Sequence, residues 1–177
     1  LAARGDLPVE AAAVPAERLT QLAVLPGFTP AESLNPDLDW VAYRQGNERH
    51  SGSSARLAET VKPLWTIKTA GSRPTAMVTV GDRGFYGGTD GAVEAVDLAT
   101  GKTIWTAYTS GAINYPPALA DNHLVVGSAD GSVYCFSSDN GQLLWKFQAA
   151  PVDRRIPVYG RLSSTWPVGS GVLIDDG

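Results

Sequence analysis

A step of 40 residues runs through this sequence and limits what it can fold into. Trp65, Trp105 and Trp145 keep that step. So do Gly71 and Gly111, Gly87 and Gly127, Asp90-Gly91 and Asp130-Gly131, Val93 and Val133, and Gly101 and Gly141. A fixed period of about 40 filled with strand-forming residues marks a repeat architecture, and its usual unit is a four-stranded propeller blade. An ordinary antiparallel sandwich is the competing reading. It leaves unexplained why glycines, Asp-Gly turns and tryptophans share one step.

Each period divides into four short strands. In the second copy these are Pro117 to Ala120, His123 to Ser128, Ser132 to Ser137 and Leu143 to Gln148. In the first copy they are Met77 to Val80, Arg83 to Gly88, Ala92 to Leu98 and Thr103 to Tyr108. Val, Ile, Tyr, Phe and Trp suit a pleated, buried surface. Asp-Gly between apolar runs signals a tight hairpin, because primed turns need positive φ. The third strands alternate poorly: Tyr134, Cys135 and Phe136 follow one another. That pattern fits a sheet covered on both faces, as a blade is by its neighbours.

One stretch carries a family resemblance. Ala95-Val96-Asp97-Leu98-Ala99-Thr100-Gly101-Lys102-Thr103-Ile104-Trp105 resembles the tryptophan-docking motif of the bacterial quinoprotein-like, or PQQ-like repeat, β-propellers. Their pattern is Ala-x-Asp-x-x-Thr-Gly-x-x-x-Trp. The second copy keeps Gly141 and Trp145, with Cys135, Ser137 and Asn140 in place of Ala, Asp and Thr. Trp40 to Asn47, with Arg49-His50-Ser51-Gly52, is similar to the segment that leads into such repeats. The resemblance covers about residues 40 to 177. It implies a radial propeller, of eight blades in the intact protein. It also implies a structural role for Trp65, Trp105 and Trp145, each packed between neighbouring blades, with Ala95, Asp97, Thr100, Gly101 and Gly141 forming the docking turns. Relatives of this kind include PQQ-dependent alcohol and glucose dehydrogenases, the lipoprotein subunit of the outer-membrane β-barrel assembly machine and many exported bacterial proteins.

The expected fold class is therefore all-β: a partial β-propeller of four-stranded blades. Two blades are complete, at about 65–108 and 109–148, and a third starts at 171–177. Residues 40–177 make the repeat region, with an insertion over 151–166. Eight blades at this period need roughly 320 residues, and this chain has 177. The expectation is a piece of a longer protein; the alternative is a ring completed by several copies.

Residues 1–39 have no echo of the repeat and are rich in Ala, Pro, Leu and Glu. They are expected to be an irregular linker or rim-packing segment. Within them Ala16 to Ala23 is expected to make two helical turns after Pro15, and Pro26-Gly27 and Asn35-Pro36 break the chain.

The net charge is −4 and the pI near 5.1. With no basic run, nucleic acid is not an expected partner, and no apolar stretch reaches membrane-spanning length. The lone Cys135 leaves no intrachain disulfide and reads as a buried thiol. His50 and His123 are far apart, without ligands at zinc spacing. Asp90, Asp130 and Asp175-Asp176 fall at turns. A quinoprotein dehydrogenase needs oxygen ligands for calcium, a catalytic Asp and a quinone. No adjacent cysteine pair and no assignable set of ligands occurs here. No catalytic, cofactor-binding or metal residue is therefore assigned; PQQ and calcium are expected only in an intact protein.

The insertion breaks the repeat. Its Arg154, Arg155, Tyr159, Arg161 and Trp166 lie between one blade's last strand and the next blade's first. Insertions in repeat folds map to a binding face. Three arginines near two aromatics suit an anion, a carboxylate or a partner's acidic loop. The other reading is a long structural loop whose arginines pair with nearby Asp. The functional expectation is a non-catalytic scaffold that binds a protein partner, in the periplasm or cell envelope by resemblance. The alternative is part of a PQQ-dependent dehydrogenase whose active site lies outside this segment.

Overall fold

The computed structural model describes residues 17–22, 35, 38–46, 48–49, 51–54, 56, 58–69 and 72–175. His50, Gly71 and Asp176, singled out in the sequence, lie outside them. All regular structure among the described residues is β. The first blade is a four-stranded antiparallel meander of β2 (Val78–Val80), β3 (Arg83–Gly87), β4 (Ala92–Asp97) and β5 (Thr103–Tyr108). The second repeats it with β6 (Ala118–Ala120), β7 (His123–Gly127), β8 (Ser132–Ser137) and β9 (Leu143–Gln148). Both carry a register shift at one place, Ala95/Val96 in one and Cys135/Phe136 in the other. These are two consecutive propeller blades.

The blades stack through one core. Val78, Phe85, Val93 and Ala95 of the first pack with Leu119, Leu124, Val126, Tyr134 and Phe136 of the second. Burying a Phe or Leu side chain is worth about 1.5–3 kcal/mol, so neither sheet is expected to stand without its neighbour. A second cluster, Val125, Cys135 and Leu144, lies on the far face of the second blade. Val172 and Ile174 pack there. Residues 171–175 carry no regular strand, and 176–177, the end of the expected third-blade start, lie outside the described residues.

One correction concerns the segment read as helix. β1 (Leu19–Gln21) is a strand and pairs antiparallel with β9, Leu19 opposite Phe147 and Gln21 opposite Trp145. Leu22 N donates to Leu144 O, and Gln148 N donates to Arg18 O. A helix of two turns is marginal in water. An edge strand with free N–H and C=O groups offers the same residues better hydrogen bonding. The lead-in also follows the sheets: Trp40 and Thr79 exchange two backbone bonds of 2.8 Å beside inner strand β2, and Leu119 N donates to Val41 O.

Candidate functional site

The docking turns are built from local hydrogen bonds. Asp97 Oδ1 accepts from Thr100 N and Thr100 Oγ1, each at 2.7 Å. Gly101 N donates to Asp97 O at 2.8 Å. The bonds from Thr100 hold the Asp97 carboxyl below its ordinary pKa, because they favour the charged form. Ala95 is fully buried in the core. The second turn keeps the shape with other acceptors: Asp139 N reaches Ser137 Oγ at 3.3 Å, and Gln142 N reaches Asn140 Oδ1 at 2.9 Å. Ser and Asn thus stand in for Asp and Thr without a charge.

Each turn receives a tryptophan, Trp65 from the irregular segment ahead of the first blade and Trp105 from β5. Trp65 Nε1 donates to Leu98 O at 2.7 Å, and Trp105 Nε1 to Ser138 O at 3.0 Å. The rings lie flat on glycine. A Cβ at Gly101 would sit 2.6 Å from Trp65 Cδ2, and one at Gly141 2.6 Å from Trp105 Cε3. No other residue type allows that approach at φ +69 and +73. Trp145 has no such turn among the described residues. With Leu19, Gln21, Val133 and Phe147 it lines an open groove of about 390 Å3.

The insertion is an excursion from the repeat. Thr109 N bonds to Gly91 O, and Ala150 N to Gly131 O in the same way. Ile113 N bonds to Gly88 O, and Val168 N to Ser128 O. The repeat is left after Ala150 and rejoined at Val168. Between them β10 (Arg155–Val158) and β11 (Arg161–Ser164) form an antiparallel hairpin, with Val158 opposite Arg161. The loop reading of 151–166 is corrected accordingly. A missed signal existed: Tyr159-Gly160 between two short apolar runs is a two-residue hairpin turn.

The hairpin is anchored on two blade turns. Ser164 N donates to Ala129 O at 2.7 Å, and Ser163 Oγ to the same oxygen at 3.2 Å. The Arg161 guanidinium donates to Thr89 O of the first blade. Arg155 Nε pairs with Asp153 Oδ1 at 3.0 Å. Arg154 is exposed, and its carbonyl accepts from Thr165 N. Beyond these anchors the hairpin is open to solvent. Tyr159 is 103% exposed, Leu162 62% and Trp166 47%.

Beside the hairpin base lies a polar cluster that sequence reasoning missed. Tyr134 Oη donates to Asp130 Oδ2 at 2.5 Å, and Ser132 N to Asp130 Oδ1 at 2.9 Å. Lys146 Nζ lies 3.7 Å from Asp130 Oδ2 and 4.9 Å from the Tyr134 ring centre. Partial burial opposes its charge, yet the Tyr134 and Asp130 oxygens hold its pKa above the ordinary value. Asp130 is buried and fully occupied, so it secures the turn under the hairpin. In the first blade Tyr86 Oη donates to Glu94 Oε2 at 2.7 Å instead. Among the described residues no group of three or more His, Cys, Asp or Glu side chains gathers as a metal site. The described carboxylates Asp90, Asp97 and Asp130 accept bonds within their own turns.

The comparisons with known proteins agree with this architecture. A family model described as outer membrane protein assembly factor BamB matches residues 51–174. The quinohemoprotein alcohol dehydrogenase of Comamonas testosteroni superposes with a TM-score of 0.57 at 19% identity, over 66% of this chain and 20% of that one. That likeness is one of fold. BamB of Moraxella catarrhalis gives 0.38 at 18% identity, over 40% of this chain and 21% of its own. The computationally designed protein Ika8 gives 0.41 at 26% identity, over 45% and 25%. This chain spans a quarter or less of the length of each. No curated protein sequence matches. The chain belongs to the BamB-type PQQ-repeat propeller family.

Proposed function

We propose that this member of the BamB-type family is a non-catalytic propeller segment that docks another protein through the hairpin over 155–164, in the bacterial cell envelope. One observation carries the reading. The hairpin is held at its base by the second blade's turn, and beside its tip the Arg161 side chain reaches the first blade's turn, yet Tyr159 and Leu162 stand in solvent. Rigid, exposed apolar side chains on a scaffold mark interaction sites. The turn carboxylates serve the fold, which favours binding over catalysis. The envelope location and protein partner rest on the family description, an outer membrane assembly factor.

The test uses the full-length protein. A photo-reactive benzoyl-phenylalanine replaces Tyr159, and in a control it replaces the exposed Thr106 of the first blade's outer strand. Cross-linking to one protein from 159 and not from 106 is the expected outcome. Equal capture from both positions, or none from 159, rejects hairpin docking. The non-catalytic part is tested separately. Reconstitution with PQQ and calcium should give no dye reduction with alcohols or sugars, and turnover would overturn it.

A further inference from the structure

The hairpin's own chemistry says what kind of surface it fits. Residues 151–166 hold three arginines against one aspartate, in a chain whose net charge is −4. Charge of this sign on one protrusion selects an acidic counterpart and speeds encounter with it. Arg161 and Arg155 have partners on their own chain, while Arg154 extends into solvent beside them.

The strand edge argues against one mode of recognition. Thr165 N bonds to Arg154 O, and Val158 pairs with Arg161 across the turn. Alternation then directs the backbone groups of Arg155 and Pro157 outward on β10. Pro157 has no N–H, so this edge is guarded against addition of another strand. On β11 the outward N–H of Ser164 is already used by Ala129 O. These features favour recognition through side chains.

The tip adds a further observation. Tyr159 has φ +47. A bulky residue there is an outlier, where Asn or Gly is usual. Its ring is fully exposed, so no packing within the described residues accounts for the strained placement. Residues held in sparsely populated backbone conformations cluster at functional sites, and Tyr is a frequent interface anchor.

Resting on the docking reading above, we propose that the hairpin is a wedge for an acidic protein surface. Tyr159 and Leu162 enter an apolar cleft of the partner, and Arg154, with Arg155, meets carboxylates at its rim. Desolvating the tip supplies the contact energy, and the arginines supply orientation.

Two labelled peptides test this on the full-length protein by fluorescence anisotropy. In one, glutamates alternate with leucines; in the other, lysine replaces every glutamate. The glutamate peptide should bind, and the lysine peptide should not. Raising salt from about 50 to about 300 mM should weaken binding severalfold, since exposed charges are screened. Arg154→Glu with Arg155→Glu should abolish it. Tyr159→Ser with Leu162→Ser should weaken it at least about tenfold, with Tm unmoved. Equal binding of both peptides, binding of neither, or unchanged binding in the variants overturns the proposal. Sedimentation with phosphatidylglycerol vesicles that is lost in the same variants, without peptide binding, overturns it in favour of a membrane surface. If Tyr159 cross-links a protein while both peptides fail, the docking reading stands and the acidic chemistry falls.

Discussion

Replacing Gly141 by alanine tests the docking geometry most directly. Two costs are separable. The residue sits at φ +73, where a Cβ costs about 1–2 kcal/mol. That Cβ would also lie 2.6 Å from Cε3 and 2.8 Å from Cδ2 of Trp105, when carbon atoms prefer about 3.5–4.0 Å. The ring must retreat by about 1 Å. It is held by its bond to Ser138 O and by Phe85, whose ring centre is 6.0 Å away. Forced overpacking of this kind costs about 1–3 kcal/mol. The total is about 2–5 kcal/mol. At about 2–4 °C per kcal/mol for a chain of this size, the Tm falls by about 4–20 °C. Gly160→Ala is the internal control. Its φ is +77, but nothing lies within 4 Å, so only the backbone cost of about 1–2 kcal/mol remains. Urea midpoints of the two variants give the difference, which is the docking clash. Shortening the ring, as in Gly141→Ala with Trp105→Leu, should cost less than the two single changes added together. Equal losses for Gly141→Ala and Gly160→Ala, with additive double-variant losses, would refute the close packing of Trp105 on Gly141.

Trp65→Phe and Trp105→Phe should each cost about 1–3 kcal/mol in urea unfolding, because Leu98 O loses its indole donor and Ser138 O keeps only the longer 3.5 Å bond from Arg83. Trp145→Phe should cost less than either, since its ring faces an open groove; an equal loss would contradict the docked and undocked distinction. Asp97 has a depressed pKa in the fold, so its contribution is present above the unfolded value and is lost as pH falls through the lower folded value. Tm measured between about pH 5 and pH 2 should therefore fall less steeply in Asp97→Asn than in the parent, and parallel curves would reject this. Burial pushes the Cys135 thiol up to about 12. Iodoacetamide at about pH 8 should leave the native protein unlabelled by mass while labelling it fully in urea, and fast native labelling would contradict the buried strand.

The blade strands were legible because each is written locally. β-branched and aromatic runs end at Asp90-Gly91, Asp130-Gly131, Gly101 and Gly141, and the observed strands begin and end within a residue or two of those limits. The hairpin was harder to read. Pro157 and the arginines hide its alternation, and only Tyr159-Gly160 marks the turn. The strand at Leu19–Gln21 was not legible at all. Glu17 to Leu22 has the local preferences of a helix, and its true conformation depends on the free edge of β9, more than 120 residues away in the chain.

By itself the sequence determined the repeat and the four strands of each blade. Those follow from short-range sterics and side-chain shape, which act within a few residues. Only the tertiary structure decided that Trp65 lands on Gly101, that Trp105 lands on Gly141, and that the insertion stands as a hairpin across the Ala129 and Thr89 carbonyls. Those choices depend on which backbone groups and apolar faces are left unpaired once the blades stack, and no local window contains that information.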